Sequence, residues 1–258
     1  MEQPSPSAVY TSLKGKVVLV TGGASGIGES IVEAFALQGS RVLFLDIQDD
    51  AALSLVNRLS CSNCIAPEYF HCNLANTAEL QSVMEKVLHS SSTIDVLINN
   101  AGNDKRHKIE DVTSEFWDWC MQSNLKHQFF MTQAVLPGMR RVKRGSIINM
   151  SSIGWVIPST GIPVYVTAKA AIVGMTRSLA HEVGIDGIRV NCVLPGAIVT
   201  EKQRKLVYTE EYKEEILNRQ AIKREIQPEE VARLVLFLAS DESLAITNQS
   251  FIIDAGWV

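Results

Sequence analysis

Cysteine is scarce and unpatterned in this sequence. There are five among 258 residues, an odd number, with a single Cys61-Ser-Asn-Cys64 pair. A disulfide framework is excluded. Zinc would need a second pair or histidines at ligand spacing, and neither stands nearby, so no metal site is expected. A redox pair belongs at a strand-to-helix turn, whereas this one follows a predicted helix. Free thiols in a reducing compartment, the cytoplasm, are the expectation. Long apolar runs are also missing, and none reaches the ~20 residues that span a bilayer. Met1 to Ser12 lacks a basic start and an apolar core, and with Pro4, Pro6 and several serines it reads as a flexible tail (1–12) rather than a signal peptide. An excess of basic charge is absent too. The net charge of -4 gives no footing for nucleic acid. Of two local basic runs, Arg140 to Arg144 is predicted in a helix-to-strand loop as a solvated face. No repeat or linker-like break appears, so 13–258 reads as one domain.

What is present is an ordinary globular balance, 46% hydrophobic and 20% charged, arranged as short apolar runs alternating with amphipathic ones. Val17 to Thr21, Arg41 to Leu45, Tyr69 to Leu74, Ile94 to Ile98, Ser146 to Met150, Arg189 to Leu194 and Phe251 to Ile253 read as strands. Between them fall helical segments, including Thr113 to Leu136, Val164 to Glu182 and Pro228 to Ala239. The pattern predicts an α/β fold: a single doubly wound Rossmann domain, with a central, mostly seven-stranded parallel sheet and helices on both faces. Ala197 to Ile226 is highly charged and is expected to be a mobile substrate cover.

The first strand runs into Gly22-Gly23-Ala24-Ser25-Gly26-Ile27-Gly28, which opens a helix. Strand, glycine turn and helix make a dinucleotide site. Glycines permit close backbone approach, and the helix start offers free N–H groups to phosphates. The second strand ends at Asp46, roughly 20 residues beyond the glycines, where such folds place the acid that binds the adenosine ribose. A carboxylate there repels a 2′-phosphate, and no Arg or Lys stands among Gly22 to Gly28 or directly after Asp46. NAD is therefore expected over NADP. The other reading of Asp46 is a cap for the next helix, but Asp49 suits that place better.

Tyr165 and Lys169 stand one turn apart on the predicted Val164 to Glu182 helix. An ammonium beside a phenol favours phenolate, the form a general base needs. Ser152, at the end of the fifth strand, aims a hydroxyl at the same place.

Thr21 to Gly28, Asn99 to Gly102, Asn124, Ser152, Tyr165, Lys169 and Pro195-Gly196, in that order, resemble the short-chain dehydrogenase/reductase family over roughly Leu13 to Trp257. The resemblance implies Tyr165 as catalytic acid/base, and Lys169 lowering its pKa and holding the nicotinamide ribose. It implies Ser152 orienting the substrate and Asn124 anchoring a water. Asn99, Asn100, Ala101 and Gly102 would stabilise the sheet and flank the adenosine ribose, and Ile198 and Thr200 would contact the carboxamide. Asn73 stands where the family often has aspartate toward the adenine, followed by Leu74; its other reading is a cap for the following turn. The family also implies a homotetramer.

Ala101-Gly-Asn-Asp-Lys-Arg-His107, Trp155 and Ile253-Asp-Ala-Gly-Trp257 are similar to bacterial NAD-dependent D-xylose (aldose) 1-dehydrogenases. On that reading Asn103, Asp104, Arg106 and His107 meet sugar hydroxyls and Trp155 stacks on a pyranose. Equally, Asp104 to Lys108 fits a solvated loop and Trp155 lid packing. Phe116, Trp117 and Trp119 read as core. The expectation is NAD-dependent oxidation of an aldose at C1 to the lactone. The same chemistry on a keto-deoxy sugar acid, a polyol or a 3-oxoacyl substrate is the nearer alternative, and a non-catalytic dinucleotide sensor the more distant one.

Overall fold

Apolar runs without alternation need cover on both faces, and the sheet of this protein has it. The structure is a computed structural model that describes residues 8–62, 64–91, 93–206 and 209–258, except the side chains of 202, 205 and 206. The strands are β1 (Val17–Thr21), β2 (Arg41–Asp46), β3 (Glu68–His71), β4 (Val96–Asn99), β5 (Gly145–Met150), β6 (Ile188–Pro195) and β7 (Ser250–Ile253). They form one seven-stranded sheet in the order β3-β2-β1-β4-β5-β6-β7, parallel throughout. The helices are α1 (Gly26–Leu37), α2 (Asp49–Ser60), α3 (Thr77–Ser90), α4 (Ser114–Met121), α5 (His127–Val142), α6 (Pro163–Val183), α7 (Glu201–Leu206), α8 (Glu210–Arg219) and α9 (Pro228–Ala239).

Successive strand residues point to opposite faces. Val18, Val20 and Phe44 therefore join Phe35 of α1, Leu55 of α2 and Val235 of α9 in one core. Leu19, Leu43 and Leu97 join Val87 of α3, Val135 of α5 and Val183 of α6 in the other. Phe35 and Phe44 are fully buried, each contributing about 1.5–3 kcal/mol by area removed from water. The α/β architecture expected from the alternation is thus the one that forms.

The chain builds β1, β2 and β3 outward, then returns to lay β4 on the other side of β1. The loops after β1 and β4 diverge there, which leaves a crevice at the strand ends.

Several boundaries differ from the sequence reading. The strand expected over Tyr69 to Leu74 stops at His71. Beyond it the Asn73 side chain accepts from the Ala75 N–H at 3.1 Å, which turns the chain away from the sheet. The single helix expected over Thr113 to Leu136 is broken by a π-helical turn at Gln122–Lys126, and α5 continues through Pro137 to Val142. Arg140 and Arg141 are therefore in the last turn of a helix rather than in a loop. Asp49 opens α2, with Gln48 at the cap position. The Asp49 carboxylate instead meets His71 Nδ1 at 2.8 Å. Of the expected tail, Met1 to Ser7 lies outside the described residues. The rest is tied down: Gln38 receives the Tyr10 N–H at 2.8 Å and donates to the Ala8 carbonyl at 3.0 Å. Leu13, just beyond, is fully buried.

Candidate active site

The dinucleotide end of the crevice is built by close backbone approach. Gly22 turns with φ +66°, and a Cβ on Gly28 would lie 1.8 Å from the Gly22 carbonyl oxygen, so no side chain fits there. Asn100 laces the two diverging loops together. Its side-chain amide donates to the carbonyls of Thr21 (3.1 Å) and Gly22 (2.9 Å), while Thr21 Oγ1 accepts from the N–H groups of Asn100 and Ala101. Ser25 precedes α1 without capping it. The first-turn N–H groups of Gly26, Ile27 and Gly28 therefore have no side-chain cap, and all three residues line the cleft. Asp46 is buried at the far end. One carboxylate oxygen accepts from Ala24 N (2.9 Å), the other from Ile47 N (2.8 Å) and Gln48 N (3.0 Å). Uncapped amides at a crowded glycine turn, with a fixed carboxylate at the next strand end, fit a nicotinamide dinucleotide.

The other end is built from β5 and α6. Pro163 opens α6. Tyr165 and Lys169 sit one turn apart, with Nζ 5.5 Å from the phenol ring centroid. The Ser152 hydroxyl accepts from Gly154 N at 3.0 Å, which starts a short 3-10 turn and leaves Ser152 in the cleft wall beside Tyr165. Desolvation pushes the Tyr165 pKa up from its ordinary value. The Asp104 charge adds to this, and Ser152 opposes it. Burial pushes the Lys169 ammonium down to about 8. After desolvation, the charge that acts most on the phenol is that of Asp104. The Lys169 ammonium is turned onto the Met150 carbonyl at 2.8 Å.

Asn124 lies in the π-helical turn, fully buried. Its Oδ1 accepts from Asn103 N (2.8 Å), and its Nδ2 donates to the carbonyls of Asn103 (3.0 Å) and Cys120 (2.9 Å). The side chain clamps the loop after β4 rather than facing the cleft.

Asn99 is fully buried and donates to Asn149 within the sheet, while the other residues expected at the cofactor line a single cleft of about 1300 Å³: Gly22, Ser25, Gly26, Ile27, Gly28, Asp46, Asn73, Leu74, Asn100, Ala101, Gly102, Tyr165, Lys169, Pro195, Gly196, Ile198 and Thr200. Asn103 and Asp104 line it too. Trp155 is not in its lining; it is 37% exposed, at the end of the 3-10 turn that Ser152 caps. Trp119 and Trp257 supply the aromatic wall instead. Trp119 stacks near Phe116, with ring centroids 5.6 Å apart, and Trp117 is largely exposed, so these aromatics are not the core they were expected to be. His107 faces away from sugar chemistry. Its ring packs 4.7 Å from Phe116, and its backbone N–H donates to the Gly161 carbonyl. Arg106 lines the cleft and donates to the Thr160 carbonyl at 3.1 Å. The charged cover folds as α7 and α8, and brings Gln203 and Tyr212 into the wall. Neither has a local signature, since each reaches the cleft only through the tertiary fold.

Among the described residues no helix is long and apolar enough to cross a membrane. Comparison with known proteins agrees with this geometry. A family model described as enoyl-(acyl carrier protein) reductase matches residues 22–258. The D-xylose 1-dehydrogenase of Caulobacter vibrioides is 48% identical over 251 residues, covering 97% of this chain and 99% of that protein. The probable galactose dehydrogenase GalD of Rhizobium meliloti is 45% identical, covering 97% and 98%. Among solved structures, that of gox2181 superposes with a TM-score of 0.90 at 31% identity, covering 96% and 98%. Similarity of this depth, over nearly the whole length, is common descent: the chain belongs to the short-chain dehydrogenase/reductase family.

Proposed function

We propose that the protein is an NAD-dependent dehydrogenase that oxidises an aldose, D-xylose first among candidates, at C1 to the lactone. The observation that carries this reading is the convergence of Ser152, Tyr165 and Lys169 in the wall of the cleft that ends at Asp46. The similarity to two sugar dehydrogenases supports the substrate class.

The residues divide the work as follows. The Gly22–Gly28 turn and the α1 amides hold the pyrophosphate. Asp46 accepts from the ribose hydroxyls and repels a 2′-phosphate. Glu29 and Glu33 line the cleft beside the glycine turn, and each is ion-paired to Arg58 of α2. Bound NAD supplies the hydride acceptor for C1. Ser152 holds the anomeric hydroxyl, and Tyr165 takes its proton. Such positioning is worth several kcal/mol, roughly 7–11 at most, and general-base assistance a further ~10²–10⁴-fold. The Lys169 ammonium, charged at neutral pH, favours phenolate at Tyr165. Asn124 serves by fixing Asn103, with α7 and α8 as the substrate cover. Hydrolysis of the lactone draws the reaction forward. We propose a homotetramer working in the cytoplasm. The five unpaired cysteines support a reducing compartment, and light scattering tests the assembly.

The test is NADH formation across aldoses, sugar acids and polyols, repeated with NADP. Saturable activity on a pentose or related aldose, with NADP far weaker, is expected. Silence on every sugar, with NADH consumed by a keto acid or a 3-oxoacyl thioester, would discard the aldose reading. NADH binding with no turnover on any alcohol or carbonyl would make the protein a sensor.

A further inference from the structure

The two walls of the substrate half of the cleft are joined by a hydrogen bond. Gln203 Nε2, on α7, donates to Asp104 Oδ2, on the loop after β4, at 3.0 Å. Both ends are fixed in the backbone. Asn103, beside Asp104, is clamped on both sides by buried Asn124. Gln203 sits in the first turn of α7, its N–H bound by Thr200 Oγ1 at 3.2 Å. Thr200 in turn packs against the glycine turn, where a Cβ on Gly26 would lie 3.1 Å from its methyl. Both partners line the cleft that holds Tyr165. Asp104 shares the cleft wall with Tyr165, Lys169 and Tyr212, and its charge bears on all three.

We propose that the Asp104–Gln203 pair reads two adjacent hydroxyls of the substrate, a vicinal-diol subsite that rests on the aldose reading above and is completed only when the cover contributes Gln203. A carboxylate offers about four lone-pair directions on its two oxygens, and an amide both donates and accepts. Adjacent sugar hydroxyls likewise each donate and accept. Their oxygens stand about 3 Å apart, the separation of two hydrogen-bonded heavy atoms. One hydroxyl donates to Asp104 while its neighbour exchanges hydrogen bonds with the Gln203 amide, with the anomeric carbon left to Ser152 and Tyr165. An acyl thioester or a simple alcohol has no diol to offer there. The pair therefore selects polyhydroxylated substrates and links their recognition to the placing of α7.

The experiment compares kcat/KM for the aldose with its 2-deoxy, 3-deoxy and 4-deoxy forms, in the wild type and in Gln203→Leu and Asp104→Asn. A hydrogen bond to a charged group sets the scale, about 10–100-fold per hydroxyl. The expected result is a loss of that size for two adjacent deoxy positions in the wild type. In both variants that discrimination shrinks severalfold or more, with the KM for NAD unchanged. Gln203→Glu, which sets a second carboxylate against Asp104, is expected to penalise the parent aldose more than its deoxy forms. A wild type that oxidises the aldose but is indifferent to all three deoxygenations overturns the subsite alone. So does wild-type discrimination retained by the variants. A wild type silent on every aldose overturns the substrate reading instead, and the two failures are told apart before any variant is made.

Discussion

Lys169 donates its ammonium to the carbonyl of Met150 over 2.8 Å, at the last residue of β5. One residue on, the Ser151 hydroxyl donates back to the Lys169 carbonyl over 2.7 Å. These crossing bonds pin α6 to the strand that delivers Ser152, and so fix the distance across which Ser152 and Tyr165 meet a substrate. The arrangement keeps an ammonium only 3% exposed. Desolvation disfavours its charged form, hence the pKa near 8.

That cost gives a first prediction. Lys169→Met should abolish turnover yet stabilise the fold at neutral pH, by about 1–3 kcal/mol in denaturant unfolding. The sign follows from the depressed pKa. Between 8 and 10.5 the unfolded lysine keeps a proton that the native one has lost, so wild-type stability recovers as pH rises. The advantage of the variant should therefore narrow across that range. A variant less stable at pH 7 and at every higher pH would refute the account of the buried charge.

The local parts of this site were readable from the chain. The Gly22–Gly28 turn, Asp46 at a strand end and the Tyr165–Lys169 spacing each depend on neighbours close in sequence, and the parallel seven-stranded sheet followed from the alternation of strands and helices. What escaped depends on contacts between distant segments. Gln203 and Tyr212 sit in a charged stretch with no motif, and reach the cleft because α7 and α8 fold over it. Trp119 was hidden among three aromatics whose helix was expected to run unbroken, and the π-helical turn behind it is what spaces Asn124 under Asn103. Trp155 ends the 3-10 turn that Ser152 caps, outside the cleft lining, a placement that residue type alone does not give. The raised pKa of Tyr165 depends on enclosure and on Asp104, and neither can be read from a one-turn spacing.

Asp46 carries the second prediction. Asp46→Asn keeps a carbonyl oxygen for the Ala24 or Ile47 amide but removes the charge facing a 2′-phosphate. Preference for NAD over NADP, measured as the ratio of kcat/KM values, should fall by about 10-fold or more, since a like charge at close range is worth a kcal/mol or more. An unchanged ratio would show that cofactor choice lies elsewhere.

His127 sets a third, on acid stability. It is buried at the start of α5, its Nε2 has no hydrogen-bond partner in the structure, and desolvation depresses its pKa to about 4 from 6.5. Above 6.5 the contribution of the neutral ring is intact. As pH falls from 6.5 toward 4 the unfolded histidine takes up a proton that the native one refuses, and about 3 kcal/mol of stability drains away. His127→Gln should flatten this part of the pH–stability curve. A variant curve parallel to the wild type between pH 4 and 6.5 would assign the acid loss to other groups.

The claim that Tyr165 is the base of a sugar oxidation is tested most directly by one measurement: NADH formation from D-xylose at saturating NAD, as a function of pH, by the wild type and Tyr165→Phe. Because the phenol pKa is raised and the base must be deprotonated, the wild-type rate should climb as pH rises through the alkaline range. Tyr165→Phe should lose about 10²–10⁴-fold or more at every pH while still binding NADH. A variant that retains turnover, with the same rise in pH, would contradict the assignment.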